Sequence, residues 1–172
     1  MRTEKLTSLS ILCAVALVLG FMESMIPAFA VIPGGKLGLA NIVTMVVFCM
    51  FSFPETMLFG LLRSLLSAVL YSGFSAFFYS IAGTVFSVLS MFLLKKMLKE
   101  RVSEVGLSVT GAVFFNVGQL TVASLVLGTI QIFRYFPVMG ILSAFAGVIT
   151  GYIAGGLIGY VNRKKSKNNV ES

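Results

Sequence analysis

Aspartate and histidine are both absent from this 172-residue chain, and all six of its acids are glutamate. Without histidine there is no Ser-His pair, no imidazole base and no ordinary His-containing zinc site, and without aspartate there is no paired-Asp cradle for magnesium. Nor is there a ligand set for haem or an iron–sulfur cluster, so neither a metal nor a cofactor is expected. Charge of both signs is scarce, at 11% of residues against about a quarter in an ordinary soluble domain. The two cysteines, Cys13 and Cys49, lie inside apolar runs, where a thiol behaves as a small hydrophobe, and they carry no information about redox compartment. What remains is 58% hydrophobic with 16 Phe. Such a chain is expected to move, bind or scaffold within a membrane and not to act as an enzyme in its own right.

A spanning helix takes roughly 20 apolar residues. Apolar runs and their breakers predict an all-α membrane protein, a compact bundle of six transmembrane helices at about 6–28, 38–52, 55–72, 75–94, 105–128 and 136–161. The second is short. Residues 1–162 form one domain on this reading, and 163–172 a basic tail. The first run is too long for a signal core and lacks a convincing cleavage site, so it is read as a retained span. Pro27, Pro33, Pro54 and Pro137 all fall at span ends or in connections, where a missing N–H costs least. Little more than Ser72-Gly73-Phe74 separates the third and fourth spans, which predicts a tight helical hairpin.

With the N-terminus in the cytoplasm, ten of the 13 basic residues fall on the inner side: Arg2, Lys5, Lys95, Lys96, Lys99, Arg101, Arg163, Lys164, Lys165 and Lys167. Lys36 and Arg134 fall outside, and Arg63 lies within a span. The positive-inside rule then predicts an N-in, C-in topology in the cytoplasmic membrane. Most of the net charge of +7 is thus an orientation signal, and the partner expected for the basic tail is the membrane lipid surface and not nucleic acid.

Three features are candidates for function. In the last span Gly147, Gly151, Gly155 and Gly159 recur at every fourth position, leaving one helix face nearly bare for close packing, either within the bundle or against a partner in the membrane. In the outer connection, Pro33-Gly34-Gly35-Lys36 runs toward Asn41. Glycines after a proline turn backbone amides toward a ligand, with Lys36 and Asn41 adding donors, or else simply cap the second span. Third are polar groups at membrane depth: Glu23, Arg63, Tyr79, Asn116 and Gln119, with Arg134 near the outer end of the fifth span. Arg63 lies eight residues after Glu55, about 12 Å deep at 1.5 Å per residue. It can bind an anion, pair with Glu23 or hold helix-end carbonyls. Asn116 and Gln119 are one turn apart and can face one cavity. Phe74, Phe77 and Phe78 beside Tyr79 read as an interfacial aromatic belt, or as the wall of an apolar pocket.

The six-span layout, the small-residue first span and the run Gly34-Gly35-Lys36-Leu37-Gly38-Leu39-Ala40-Asn41-Ile42 resemble the substrate-binding S component of an energy-coupling factor (ECF) transporter. Within that superfamily the chain is most similar to the Gx transporter group, which is also catalogued as heptaprenyl diphosphate synthase component I. The resemblance implies a membrane subunit that captures a micronutrient on its outer side. It would work with a transmembrane coupling subunit and two cytoplasmic ATPases, docking through small residues of the first span, here Ser10 and Ala14. Val18 departs from the family's small-residue spacing. Gly35, Lys36, Asn41, Arg63, Tyr79, Asn116, Gln119 and Arg134 are then candidate substrate contacts. The catalogue name implies another role, beside a prenyl diphosphate synthase. Such enzymes resemble one another in two Asp-rich magnesium motifs, so a chain without Asp is expected there only as a non-catalytic component.

Overall fold

The computed structural model describes residues 2–25 and 39–168. Among them the chain is helical almost throughout, with no strand. In chain order the helices are α1 (Arg2–Ser24), α2 (Leu39–Met50), α3 (Phe53–Ser67), α4 (Phe74–Leu98), α5 (Glu104–Leu127) and α6 (Phe136–Asn168). Five helical segments, beginning at Thr3, Phe53, Phe74, Glu104 and Ile130, are long and apolar enough to cross a membrane. The 12-residue α2 reaches only about 18 Å at 1.5 Å per residue, well short of a hydrocarbon core of about 30 Å.

The short helix is also the central one. Seven consecutive residues, Ile42 to Phe48, are buried, so the middle of α2 leaves no face for lipid or water. One side packs with Val88 and Met91 of α4, Leu107 of α5 and Ala154 of α6. The other packs with Ala16 of α1 and Phe59 of α3. An apolar helix end without partners would leave backbone N–H groups unpaired, and the Leu39 N–H donates to Oε2 of Glu23 at 3.1 Å. The carboxylate also sits favourably against the positive end of the α2 dipole. Glu23→Ala is therefore expected to cost at least about 1–3 kcal/mol, the range for a buried donor losing its acceptor, read as a lowered unfolding temperature in detergent.

The helices form a ring, with α1 beside α3, α3 beside α4, α4 beside α5, α5 beside α6, and α2 bridging α6 and α1. Small residues set the closest approaches. A Cβ added at Gly118 of α5 would lie 2.5 Å from the Ala82 carbonyl oxygen of α4. One added at Gly147 or Gly151 of α6 would lie 2.7 Å from Val109 Cα or 2.6 Å from Val105 Cα of α5. Hydroxyls bind the same interfaces. Ser64 of α3 bonds Thr84 of α4 at 3.2 Å and accepts from Ser80 at 3.0 Å, and Ser108 of α5 bonds Thr150 of α6 at 2.7 Å.

The turn after α3 is as tight as the sequence predicts. The helix widens into a π-turn over Ala68–Ser72, Gly73 alone breaks it, and α4 starts at Phe74. Gly73 has φ +81° and its N–H donates to the Ala68 carbonyl, a backbone state open to glycine and strained for other residues. Lys5 of α1 lies 3.4 Å from Glu55 at the start of α3, and Lys95 at the end of α4 sits 5.2 Å above the Phe48 ring near the end of α2. These contacts bring the basic residues of α1 and α4 to one end of the bundle.

Candidate functional site

The opposite end of the bundle is hollow. A cavity of about 610 Å³ is lined by the C-terminal parts of α1, α3 and α5 and the N-terminal parts of α2, α4 and α6. That volume lies within the ~300–1,000 Å³ range of sites that hold one small molecule. The wall is open because the inward positions are small: Gly20, Ala40, Ala76, Ala112, Ala123 and Ala146 all face it. Leucines at those positions, as elsewhere in the bundle, would fill it.

Two charged residues line the cavity among the described residues, Arg63 and Glu23. Arg63 is the deepest α3 residue on the wall, with Ser67 and Tyr71 one and two turns nearer the mouth. It is only 8% exposed, and its Nε has no hydrogen-bond partner among the described residues. The Arg63 side chain thus lies on the cavity wall. Glu23 is 6% exposed and its Oε2 accepts the Leu39 N–H.

The amides divide. Nδ2 of Asn116 donates to the Met139 carbonyl at 3.2 Å and also to Ser143 Oγ, so this group ties α5 to α6 while lining the cavity. Asn41 and Gln119 line it too. The aromatic wall comprises Tyr71 of the π-turn after α3, Tyr79 of α4, Phe115 of α5 and Tyr135 of the turn before α6. Gly20 makes room for Tyr71, whose hydroxyl occupies the place a Cβ there would take, and Phe21 meets the same ring edge-on at 5.8 Å.

Of the residues singled out in the sequence, the structure thus brings together Asn41, Arg63, Tyr79, Asn116 and Gln119. Arg134 stands apart: it is exposed and lines a shallow depression with Thr129, Gln131, Ile132 and Tyr135. Its turn runs through a short 3₁₀ segment, Ile130–Tyr135, which turns Ile132 and Tyr135 toward the main cavity and leaves Arg134 outside its lining. Gly35 and Lys36 lie outside the described residues. Tyr71, Ser67 and Tyr135 escaped the sequence reading. For the first two a signal was present, since Arg63, Ser67 and Tyr71 are four residues apart on one helix face.

The packing candidates also divide. Gly147 and Gly151 meet the α5 backbone, whereas among the described residues a Cβ added at Gly155 would lie 3.8 Å from Glu104 and one at Gly159 3.8 Å from Arg163 of its own helix. Ser10 and Ala14 are exposed on α1. Phe74, Phe77 and Phe78 form a ring cluster with centroids 5.5–6.0 Å apart, Phe74 and Phe78 being 73% and 52% exposed, while Tyr79 lines the cavity.

No curated protein and no solved structure matches the chain. A family model described as heptaprenyl diphosphate synthase component I matches residues 12–157, a stretch that contains every residue of the cavity wall from Gly20 to Thr150. This multi-span helical protein, with its hollow end lined by Arg63 and Glu23, belongs to the heptaprenyl diphosphate synthase component I family.

Proposed function

We infer that the protein is a substrate-binding membrane subunit of the ECF type. It captures a small molecule in the cavity from the outer face of the cytoplasmic membrane and works with a transmembrane coupling subunit and cytoplasmic ATPases. The observation that carries this reading is the cavity itself: about 610 Å³, walled by all six helices and holding a buried arginine. It opens at the end away from Lys5 and Lys95. Under the positive-inside rule that end faces outward, the correct side for uptake. The chain carries no ATP-binding motif, so the energy for inward release comes from partners. Ser10 and Ala14, exposed on α1, supply a small-residue face on which a coupling subunit can approach closely.

The test is expression beside a complete coupling module, followed by affinity purification through this chain and mass spectrometry of the bound small molecule. A stoichiometric complex and a retained metabolite are expected. If neither the module nor any small molecule is recovered, the transport reading fails.

A second reading is favoured by the family description. In it the protein is a non-catalytic membrane component that binds a soluble prenyl diphosphate synthase. The absence of Asp removes the magnesium–diphosphate chemistry of such enzymes from this chain and assigns it to the partner. A stable complex with an Asp-rich prenyl synthase, whose activity falls when this protein is withdrawn, is the result that favours this role.

A further inference from the structure

A cation is expensive at membrane depth, and it is kept where it is paired or hydrogen-bonded. Arg63 lies about 12 Å beyond Glu55 along α3, is 8% exposed and has a buried Nε without a hydrogen-bond partner among the described residues. The guanidinium carries five donors in a planar fork suited to carboxylate and phosphate oxygens. Glu23, the other charged residue on the wall among the described residues, already accepts the Leu39 N–H through Oε2. Above Arg63 toward the mouth the wall changes character, with Tyr71, Tyr79, Phe115 and Tyr135 set among alanines. Flat rings with polar tips combine apolar contact with hydrogen bonding at the rim.

We propose that the cavity takes a small molecule with an anionic head, carboxylate or phosphate, on a flat apolar body. The head is held at the floor by Arg63, and the body lies between the tyrosines and Phe115. The ligand therefore enters head first. Its acidic oxygens accept hydrogen bonds from the Arg63 guanidinium, and its ring system fills the volume left by the alanines. This assignment rests on the substrate-binding reading above and names the class of substrate.

Naphthoate, naphthyl phosphate and the uncharged isostere naphthamide separate head from body. Titrated into the purified full-length protein in detergent, at least one anion is expected to bind, with naphthamide at least tenfold weaker. The stronger of the two anions identifies the head as carboxylate or phosphate. Arg63→Gln is expected to weaken the anion about 10- to 100-fold, the range for a lost charged hydrogen bond, and Arg63→Lys to recover part of it. The comparison of naphthoate with naphthamide on the wild type needs no variant, so it stands even if Arg63→Gln fails to fold. Equal binding of naphthamide, unchanged affinity in a folded Arg63→Gln, or no binding of either anion at millimolar concentration overturns the proposal. The two readings fail separately. A wild type that binds naphthoate yet never joins a coupling module sinks transport and leaves the anion site. A protein that joins the module but holds naphthamide as well as naphthoate does the reverse.

Discussion

Gly147→Leu is expected to abolish recovery of a folded, monodisperse protein, because a Cβ at that position would lie 2.7 Å from Val109 Cα, 3.1 Å from Val109 N and 3.2 Å from the Ser108 carbonyl oxygen. All three are backbone atoms of α5. A flexible side chain can swing away from an intruding methyl group, but a helix backbone moves only with its whole helix. The cost should therefore reach or exceed the ~3 kcal/mol upper end of ordinary overpacking. Gly118→Leu, against the Ala82 carbonyl at 2.5 Å, should behave alike, and so should Gly151→Leu against Val105. Gly156→Leu is the control, since nothing lies within 4 Å of an added Cβ there. Elution profile and unfolding temperature in detergent read the outcome. Wild-type values for Gly147→Leu would remove the close-packing account of α5 and α6.

One position earlier the same substitution should do something different. Ala146 faces the cavity, so Ala146→Leu grows into empty space. Burying three more carbons at about 0.8 kcal/mol each leaves the fold as stable as before, or up to about 2 kcal/mol more so. The volume it takes is the volume a ligand needs. Binding of naphthoate is expected to fall at least tenfold while folding is preserved, the pattern of a lining residue and not of a packing one. Unaltered affinity in a folded Ala146→Leu would mean that the ligand binds elsewhere.

Much of the architecture is legible in the one-dimensional pattern, for physical reasons that act locally. Lipid leaves backbone groups only helical or barrel solutions, so apolar runs of the right length become helices. Pro54 and Pro137 lie in the first turns of their helices, and Gly73 and Gly128 mark helix ends. The brevity of the second span was visible, as was the hairpin at Gly73, because only glycine takes φ +81° without strain there. Within the site, Arg63, Tyr79, Asn116 and Gln119 were chosen by polarity alone, and all four line the cavity.

Other features depend on which element lies opposite which, and a single helix cannot announce its neighbour. The stripe Gly147, Gly151, Gly155, Gly159 is uniform in spacing, yet only its first half meets the α5 backbone, because α5 begins at Glu104 and the two helices share only that stretch. Arg134 and Tyr135 are adjacent and equally exposed to a sequence reader, but the 3₁₀ turn places only Tyr135 on the cavity wall. The alanines that hollow the bundle look like ordinary helix formers until six helices turn them inward together. Composition and periodicity thus settled that this chain is a helical membrane protein, since burial in lipid depends on each segment's own surface. The cavity, the burial of Arg63 on its wall and the partners of each glycine arose only on assembly, since they are properties of the space between helices.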